Sequence, residues 1–142
     1  MALTTYTNTS QTVATGGNVI FNLKNDTNSC IIQHTNGTSV VNLNKPGWYL
    51  IDFTATGSLV STTGGTATFH LYLNGNITNG FEASASSADD TTVLNLSQTS
   101  FLVRVVPNCA AISTNCPVAV TIRNDGANTI LTNTNLTVTK LC

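Results

Sequence analysis

Short stretches in which apolar and polar residues alternate recur along the chain. In Val118–Arg123, three aliphatic side chains alternate with Ala119, Thr121 and Arg123, and Ala67–Leu73 alternates in the same way. Successive side chains of a β-strand point to opposite faces of a sheet. Both stretches therefore predict strands of an antiparallel sheet with one buried face and one solvated face.

Turn-forming pairs such as Asn36-Gly37, Asn74-Gly75 and Asp125-Gly126 separate the alternating stretches, which is the spacing expected of a sandwich or barrel. The small, polar stretch Ala83–Asp90 predicts a loop. The predicted strands are Asn18–Leu23, Cys30–His34, Ser39–Leu43, Trp48–Thr56, Ala67–Leu73, Gly80–Ala85, Thr91–Leu96, Phe101–Val106, Val118–Arg123 and Leu136–Leu141.

Two of the predicted strands, Trp48–Thr56 and Phe101–Val106, are apolar on both faces. We therefore expect two sheets: an outer one with 67–73 and 118–123, and an inner one with these two strands, whose far face is covered. A second copy of the chain is the simplest cover, and the alternative is that loops of the same chain fold over that face. The predicted interface residues are Trp48, Leu50, Asp52, Leu102, Arg104 and Val106.

An unpaired charge on a covered face is costly. We therefore predict that Asp52 pairs with Arg104, within one chain or between chains. The alternative is that each reaches water in a central channel.

The composition supports an all-β protein of one domain. The chain has 142 residues and only 8% charged residues, and Thr, Asn and Ser replace the usual charged surface. We assign residues 18–142 to the domain and the Thr-rich segment Met1–Gly17 to an N-terminal arm that tethers it to a neighbour.

The charge pattern and the lengths of the apolar runs argue against nucleic acid and membranes as partners. The net charge is −1, and the five Lys and Arg residues are scattered rather than clustered as phosphate binding requires. No apolar run approaches the ~20 residues that span a bilayer. The first residues also lack the features of a secretory signal, so we expect a protein made without that route or a leader removed earlier.

Three segments resemble C1q/TNF-like domains. Pro46–Phe53 is similar to a "G-x-Y-x-(I/F)-x-F" strand of that family, Leu71–Gly75 to its "L-x-L/V-N-G" strand and turn, and Leu136–Leu141 to its closing strand. The resemblance implies a jelly-roll β-sandwich of about ten strands and a homotrimer whose threefold axis is lined by the inner strands. Ser97–Ser100 departs from the family's "L-x-x-G-D", which puts the calcium and turn chemistry of some relatives in doubt, and the chain carries no collagen-like stalk.

The Thr/Asn-rich texture also resembles accessory structural proteins of bacteriophages, such as capsid decoration or head-fibre proteins. We therefore expect a non-enzymatic trimeric knob on a virion assembled in the host cytoplasm. Its arm would contact a capsid or other particle protein, and its loops would contact surface glycans. The alternatives are an adhesin or lectin of a bacterial surface, a spore-surface trimer and, as the least favoured, a metal enzyme on a jelly roll.

No catalytic motif is present, and the chain has a single Glu, so neither catalysis nor a cofactor is expected. We expect His34 and His70 to face solvent separately rather than to form a metal site together. Asp89 and Asp90 offer carboxylates to Ca²⁺, although adjacent loop acids are usually only solvated.

The four cysteines lack the spacing of a zinc site. Cys109 and Cys116 flank one predicted loop, which favours a disulfide between them. The alternative is two free thiols in a reducing cytoplasm.

Overall fold

The computed structural model describes residues 2–26, 30–106 and 117–141, and every regular element among them is a β-strand. No helix that could cross a membrane occurs among these residues. The strands are β1 (Ala2–Thr7), β2 (Gln11–Val13), β3 (Leu23–Asp26), β4 (Ile32–His34), β5 (Val41–Leu43), β6 (Gly47–Leu59), β7 (Gly65–Leu73), β8 (Asn76–Ser87), β9 (Leu94–Val105), β10 (Val118–Asn124) and β11 (Thr129–Lys140).

The strands form two antiparallel sheets. Sheet A has six strands in the order β3-β1-β11-β6-β9, with β2 also paired with β11, and sheet B has five strands in the order β4-β5-β10-β7-β8. The predicted all-β sandwich is confirmed, with about eleven strands rather than ten. The expected partition is also confirmed, because β7 and β10 pair in sheet B and β6 and β9 pair in sheet A.

The core lies between the inward faces of the two sheets. Tyr49, Ile51 and Phe53 of β6 are fully buried, and so are Phe69 and Leu71 of β7. The rings of Phe53 and Phe69 lie 6.0 Å apart across the interior. Each such side chain contributes about 1.5–3 kcal/mol by leaving water, so the alternation in β6 and β7 stabilises the sandwich directly.

The first residues of the chain are part of the sandwich rather than outside it. β1 pairs with β11 on one side and with β3 on the other. Leu3, Thr5 and Thr7 are buried, and the Thr7 hydroxyl donates a hydrogen bond to the Ile20 carbonyl at 2.8 Å. The predicted domain boundary at residue 17 therefore does not coincide with the edge of the folded unit. A tethering role of this segment stays a prediction.

Two predicted loops or breaks are continuous strand in the structure. Most of the segment Ala83–Asp90 belongs to β8, where the Ser86 hydroxyl lies 2.7 Å from that of Thr66 on β7. Most residues of the two predicted strands at 91–96 and 101–106 belong to the single strand β9. The strand continues through an irregular point at Ser100, where φ is 56° and the pairing with β6 shifts register. Within the predicted strand Asn18–Leu23, Asn18 and Phe21 form only isolated bridges.

Candidate functional site

The outward face of sheet A brings most of the predicted interface residues together. Trp48 pairs directly with Arg104, and Leu50 pairs directly with Leu102, across β6 and β9. Val106 follows β9 and is 55% exposed. These side chains therefore share one end of one face, as the alternation predicts.

This end of the face is apolar and open to solvent. Trp48 is 42% exposed and Leu102 is 51% exposed. Leu141, which sequence reasoning missed, is 52% exposed and donates its backbone N–H to the Trp48 carbonyl at 2.8 Å. Contiguous exposed apolar surface indicates an interaction site. We define this surface as the Trp48 patch, formed by Trp48, Leu50, Leu102, Val106 and Leu141.

The two charged residues of the same face have separate partners. The Arg104 guanidinium lies 5.8 Å from the centre of the Trp48 ring, within cation–π range. The Asp52 carboxylate accepts a hydrogen bond of 2.6 Å from the Ser100 backbone N–H, at the irregular point of β9. Within the described part of the chain, no ion pair joins Asp52 to Arg104. The predicted pair is therefore not formed within the chain, and a pair between chains stays a prediction.

The other end of the outward face of sheet A is polar. A depression there is lined mainly by residues with amide and hydroxyl side chains, together with Ala55 and Leu96. The polar lining residues are Thr54, Thr56, Asn95, Ser97, Asn133 and Asn135. The Trp48 patch is thus confined to one end of the face.

A second cluster, which sequence reasoning missed, lies on the outward face of sheet B. Asp125 follows β10, and its Oδ2 lies 2.7 Å from His70 Nδ1 and accepts a 2.7 Å hydrogen bond from the Tyr72 hydroxyl. Its Oδ1 lies 2.9 Å from Arg123 Nε, and His70 Nε2 lies 3.5 Å from Glu82 Oε2. We refer to these five side chains as the His70 cluster.

The contacts of Asp125 change the acidity of the cluster. Burial raises the pKa of the Asp125 carboxyl, but the hydrogen bonds from His70 and Tyr72 and the charge of Arg123 outweigh it, so this pKa is lowered overall. The hydrogen bond to Asp125 raises the pKa of the Tyr72 hydroxyl, because it favours the protonated phenol. Asp125 is therefore held as a carboxylate that accepts hydrogen bonds from His70 and Tyr72 and forms an ion pair with Arg123.

The two histidines occupy opposite environments. His70 is half-buried on the outward face, whereas His34 of β4 is only 4% exposed, so the prediction of a solvent-facing His34 is wrong. Its ring nitrogens lie 2.8 Å from the Val40 carbonyl oxygen and 2.9 Å from the Phe21 carbonyl oxygen. Among the described residues, no three His, Cys, Asp or Glu side chains converge as metal ligands.

Asp89 organises the turn after β8. Its Oδ1 accepts hydrogen bonds from the backbone N–H groups of Thr91 and Thr92 and from the Thr92 hydroxyl. These donors lower the pKa of the Asp89 carboxyl to about 2. One of the two Asp89 carboxylate oxygens is thus already used by the turn, and calcium binding stays the less favoured expectation for Asp89 and Asp90.

The predicted disulfide between Cys109 and Cys116 lies outside the described residues, as does Cys142, so this pairing stays a prediction. Cys30 is exposed and its thiol is free.

Comparisons with known proteins give likenesses among solved structures only. No family model matches the chain, and no curated protein matches it. The chain is similar to a solved structure named "PRD1 vertex protein P5", with a TM-score of 0.48 and 16% identity over 99% of this chain and 96% of that one. A likeness of this size supports no statement about the function of this chain.

Proposed function

We propose that the chain is a non-enzymatic structural protein that forms a homotrimer through the outward face of sheet A and is displayed as a knob on a larger particle. The particle is a phage virion, in which the protein acts as a capsid decoration or head-fibre component. The Trp48 patch is the single observation that carries this proposal.

The patch supports self-association for a physical reason. Aromatic, aliphatic and Arg side chains are enriched in the buried centre of protein interfaces, and a Trp with a stacked Arg is a typical anchor. Trp48, Arg104 and Leu102 combine these types on two adjacent paired strands, β6 and β9. β6 and β9 are also the strands that the resemblance to C1q/TNF-like domains places at a threefold axis.

The charges on the same face would favour one relative orientation of the protomers in such an assembly. The Arg104 guanidinium on one protomer and the Asp52 carboxylate on another have opposite charge, and both belong to the outward face of sheet A. An ion pair between protomers would satisfy both charges in the assembly. Complementary charges of this kind favour one relative orientation of the protomers over others.

The larger particle and the glycan contact rest on the Thr/Asn-rich, weakly charged surface. The turn Asn74-Gly75 joins β7 to β8, and the loop around Asp89 and Asp90 joins β8 to β9, so the two lie at opposite ends of β8 and offer polar groups for glycan contact. Contact with a capsid or other particle protein through the first residues would use strand β1 as it lies in the sheet.

The self-association is tested by the mass of the protein in solution. At micromolar concentration, light scattering coupled to gel filtration is expected to give the mass of three chains. Leu102→Asp and Trp48→Asp are each expected to give the mass of one chain with an unchanged circular dichroism spectrum. Ile77→Asp, which places the same charge at a 50% exposed position on sheet B, is the matched control and is expected to remain trimeric.

A monomeric wild-type protein, or a trimer that survives both substitutions on the Trp48 patch, would contradict the proposed interface. The display role is tested separately by fractionation of infected cells. Copurification with virions is expected, whereas recovery from the bacterial or spore surface favours the adhesin or spore-coat alternative.

A further inference from the structure

We propose that His70 and Glu82 form a surface site for a divalent first-row transition metal such as Zn²⁺, with Asp125 as the residue that positions the imidazole. His70 and Glu82 are direct cross-strand partners in β7 and β8, and both side chains lie on the outward face of sheet B. This site is on the opposite sheet from the Trp48 patch. It does not depend on the function proposed above.

The first argument is the placement of protons on the imidazole. Nδ1 of His70 lies 2.7 Å from an Asp125 carboxylate oxygen, which only accepts hydrogen bonds, so Nδ1 carries a proton. In the neutral ring, Nε2 then keeps its lone pair, and this nitrogen is the one beside the Glu82 carboxylate. Two electron-rich groups at this spacing repel each other unless a positive charge lies between them. That charge is either a second proton on the ring or a metal ion.

The second argument is the distance. An N–H···O hydrogen bond prefers 2.7–3.2 Å, whereas Nε2 and Oε2 are 3.5 Å apart. A tetrahedral Zn²⁺ with bonds of about 2.1 Å to nitrogen and oxygen places the two donors about 3.4 Å apart. The observed spacing therefore matches the separation of two ligands of one metal ion.

The third argument is the support behind the imidazole. A metal-bound His commonly donates its other N–H to a carboxylate, which fixes the ring and strengthens the ligand. Asp125 is in that position and is itself held by Tyr72 and Arg123. The Glu82 side chain is 57% exposed, so an ion can enter from solvent and water can fill its remaining coordination positions.

The experiment uses the full chain with its thiols alkylated, because the exposed Cys30 would otherwise bind zinc. Zn²⁺ is titrated while the imidazole nitrogens are followed by ¹H–¹⁵N NMR. Saturable zinc-dependent shifts are expected at Nε2 of His70. His34, whose two ring nitrogens face backbone carbonyls, is the internal reference and is expected not to shift.

Three variants separate the roles of the side chains. His70→Ala is expected to abolish binding at this site. Glu82→Gln is expected to weaken it by about tenfold or more, and Asp125→Asn by about 10–100-fold, the usual cost of losing a carboxylate behind a metal-bound His. Asp90→Asn, which removes an acid near the other end of β8, is the matched control and is expected to bind as the wild type does.

Two outcomes would overturn the site. If Nε2 of His70 responds to pH but not to millimolar zinc, the charge between the two side chains is a proton. If Glu82→Gln binds zinc as tightly as the wild type, the carboxylate is not a ligand. The Leu102→Asp variant is expected to bind zinc normally, so failure of the metal site and failure of the trimer are distinguishable.

Discussion

At the scale of single residues, the Asp125 carboxylate joins side chains of two strands of sheet B, β7 and β10. Its carboxylate oxygens lie 2.7 Å from His70 Nδ1, 2.7 Å from the Tyr72 hydroxyl and 2.9 Å from Arg123 Nε. Hydrogen bonds to a charged group are worth about 1.5–3 kcal/mol each when made, and less when part of the group is exposed. The carboxylate therefore fixes the connection between β10 and β11 against β7.

Replacing this carboxylate is expected to lower stability in a pH-dependent way. We predict that Asp125→Asn lowers the free energy of unfolding at pH 7 by about 1–3 kcal/mol, measured by urea denaturation. Because the pKa of Asp125 is lowered in the folded state, its contribution is fully present above the unfolded pKa of about 3.9 and is lost as the pH falls through the lower folded pKa. The difference between variant and wild type is therefore expected to shrink below about pH 4.

Asp90→Asn removes the same charge without these contacts and serves as the control. If Asp125→Asn lowers the free energy of unfolding by the same amount at pH 7 and at the acid end of the titration, the carboxylate contributes no charge-dependent stability.

The His70 cluster also shows where reasoning from the sequence ends. Alternation places His70, Tyr72 and Arg123 on the solvated faces of two predicted strands. Their meeting depends on the register of β7 with β10 and β8, which no local pattern specifies. The prediction for His34 was wrong for a related reason. Its ring nitrogens contact the carbonyl oxygens of Phe21 and Val40, and only the tertiary fold brings these residues to the ring.

At the scale of elements, strand β1 was missed because its inward face is mostly threonine. Leu3 is its one large apolar inward residue, while Thr5 and Thr7 are buried through hydrogen bonds to backbone carbonyls. A polar residue on a core face hides the alternation on which strand prediction depends. By contrast, β6 was predicted correctly because its buried side chains, Tyr49 to Ala55, are all apolar.

The structural role of β1 is testable with one core residue and one surface residue. We predict that Leu3→Ala lowers the free energy of unfolding by about 2–5 kcal/mol, since it opens a cavity in the core. Thr4→Ala, on the opposite face of the same strand, loses only a part-buried hydroxyl contact with Thr137 and is expected to cost about 1 kcal/mol or less. Equal small effects in urea denaturation would mean that the segment behaves as a dispensable arm.

The pairing of β6 with β11 depends on a close approach at Gly57. A Cβ at this position would lie 2.1 Å from the Ile130 carbonyl oxygen, so the two backbones could not keep their present distance. We predict that Gly57→Ala lowers the free energy of unfolding by about 1–3 kcal/mol or more through this overpacking. Ser58→Ala, the next residue, is expected to change it by about 0.5 kcal/mol or less. Denaturation midpoints that match for the two variants would contradict the close approach.

At the scale of the whole molecule, the two outward faces of the sandwich differ in kind. Sheet A presents the Trp48 patch, with apolar side chains and two charges that have no ion pair to each other within the described residues. Sheet B presents the His70 cluster, in which acids and bases already contact one another. Burial of the Trp48 patch against another surface is favourable because it removes apolar side chains from water. Burial of the His70 cluster would remove charged groups from water without providing new partners for them. This contrast favours sheet A over sheet B as the face of the proposed assembly.

The proposed assembly through sheet A would couple folding to protein concentration. If three folded chains dissociate as they unfold, a tenfold rise in concentration adds two thirds of RT ln 10, about 0.9 kcal/mol per chain. For a domain of this size, we predict that the melting temperature rises by about 2–4 °C for each tenfold increase. Leu102→Asp is expected to melt at a temperature independent of concentration, while Ile77→Asp follows the wild type. A wild-type melting temperature that stays constant across three decades of concentration would mean that the Trp48 patch remains exposed in solution.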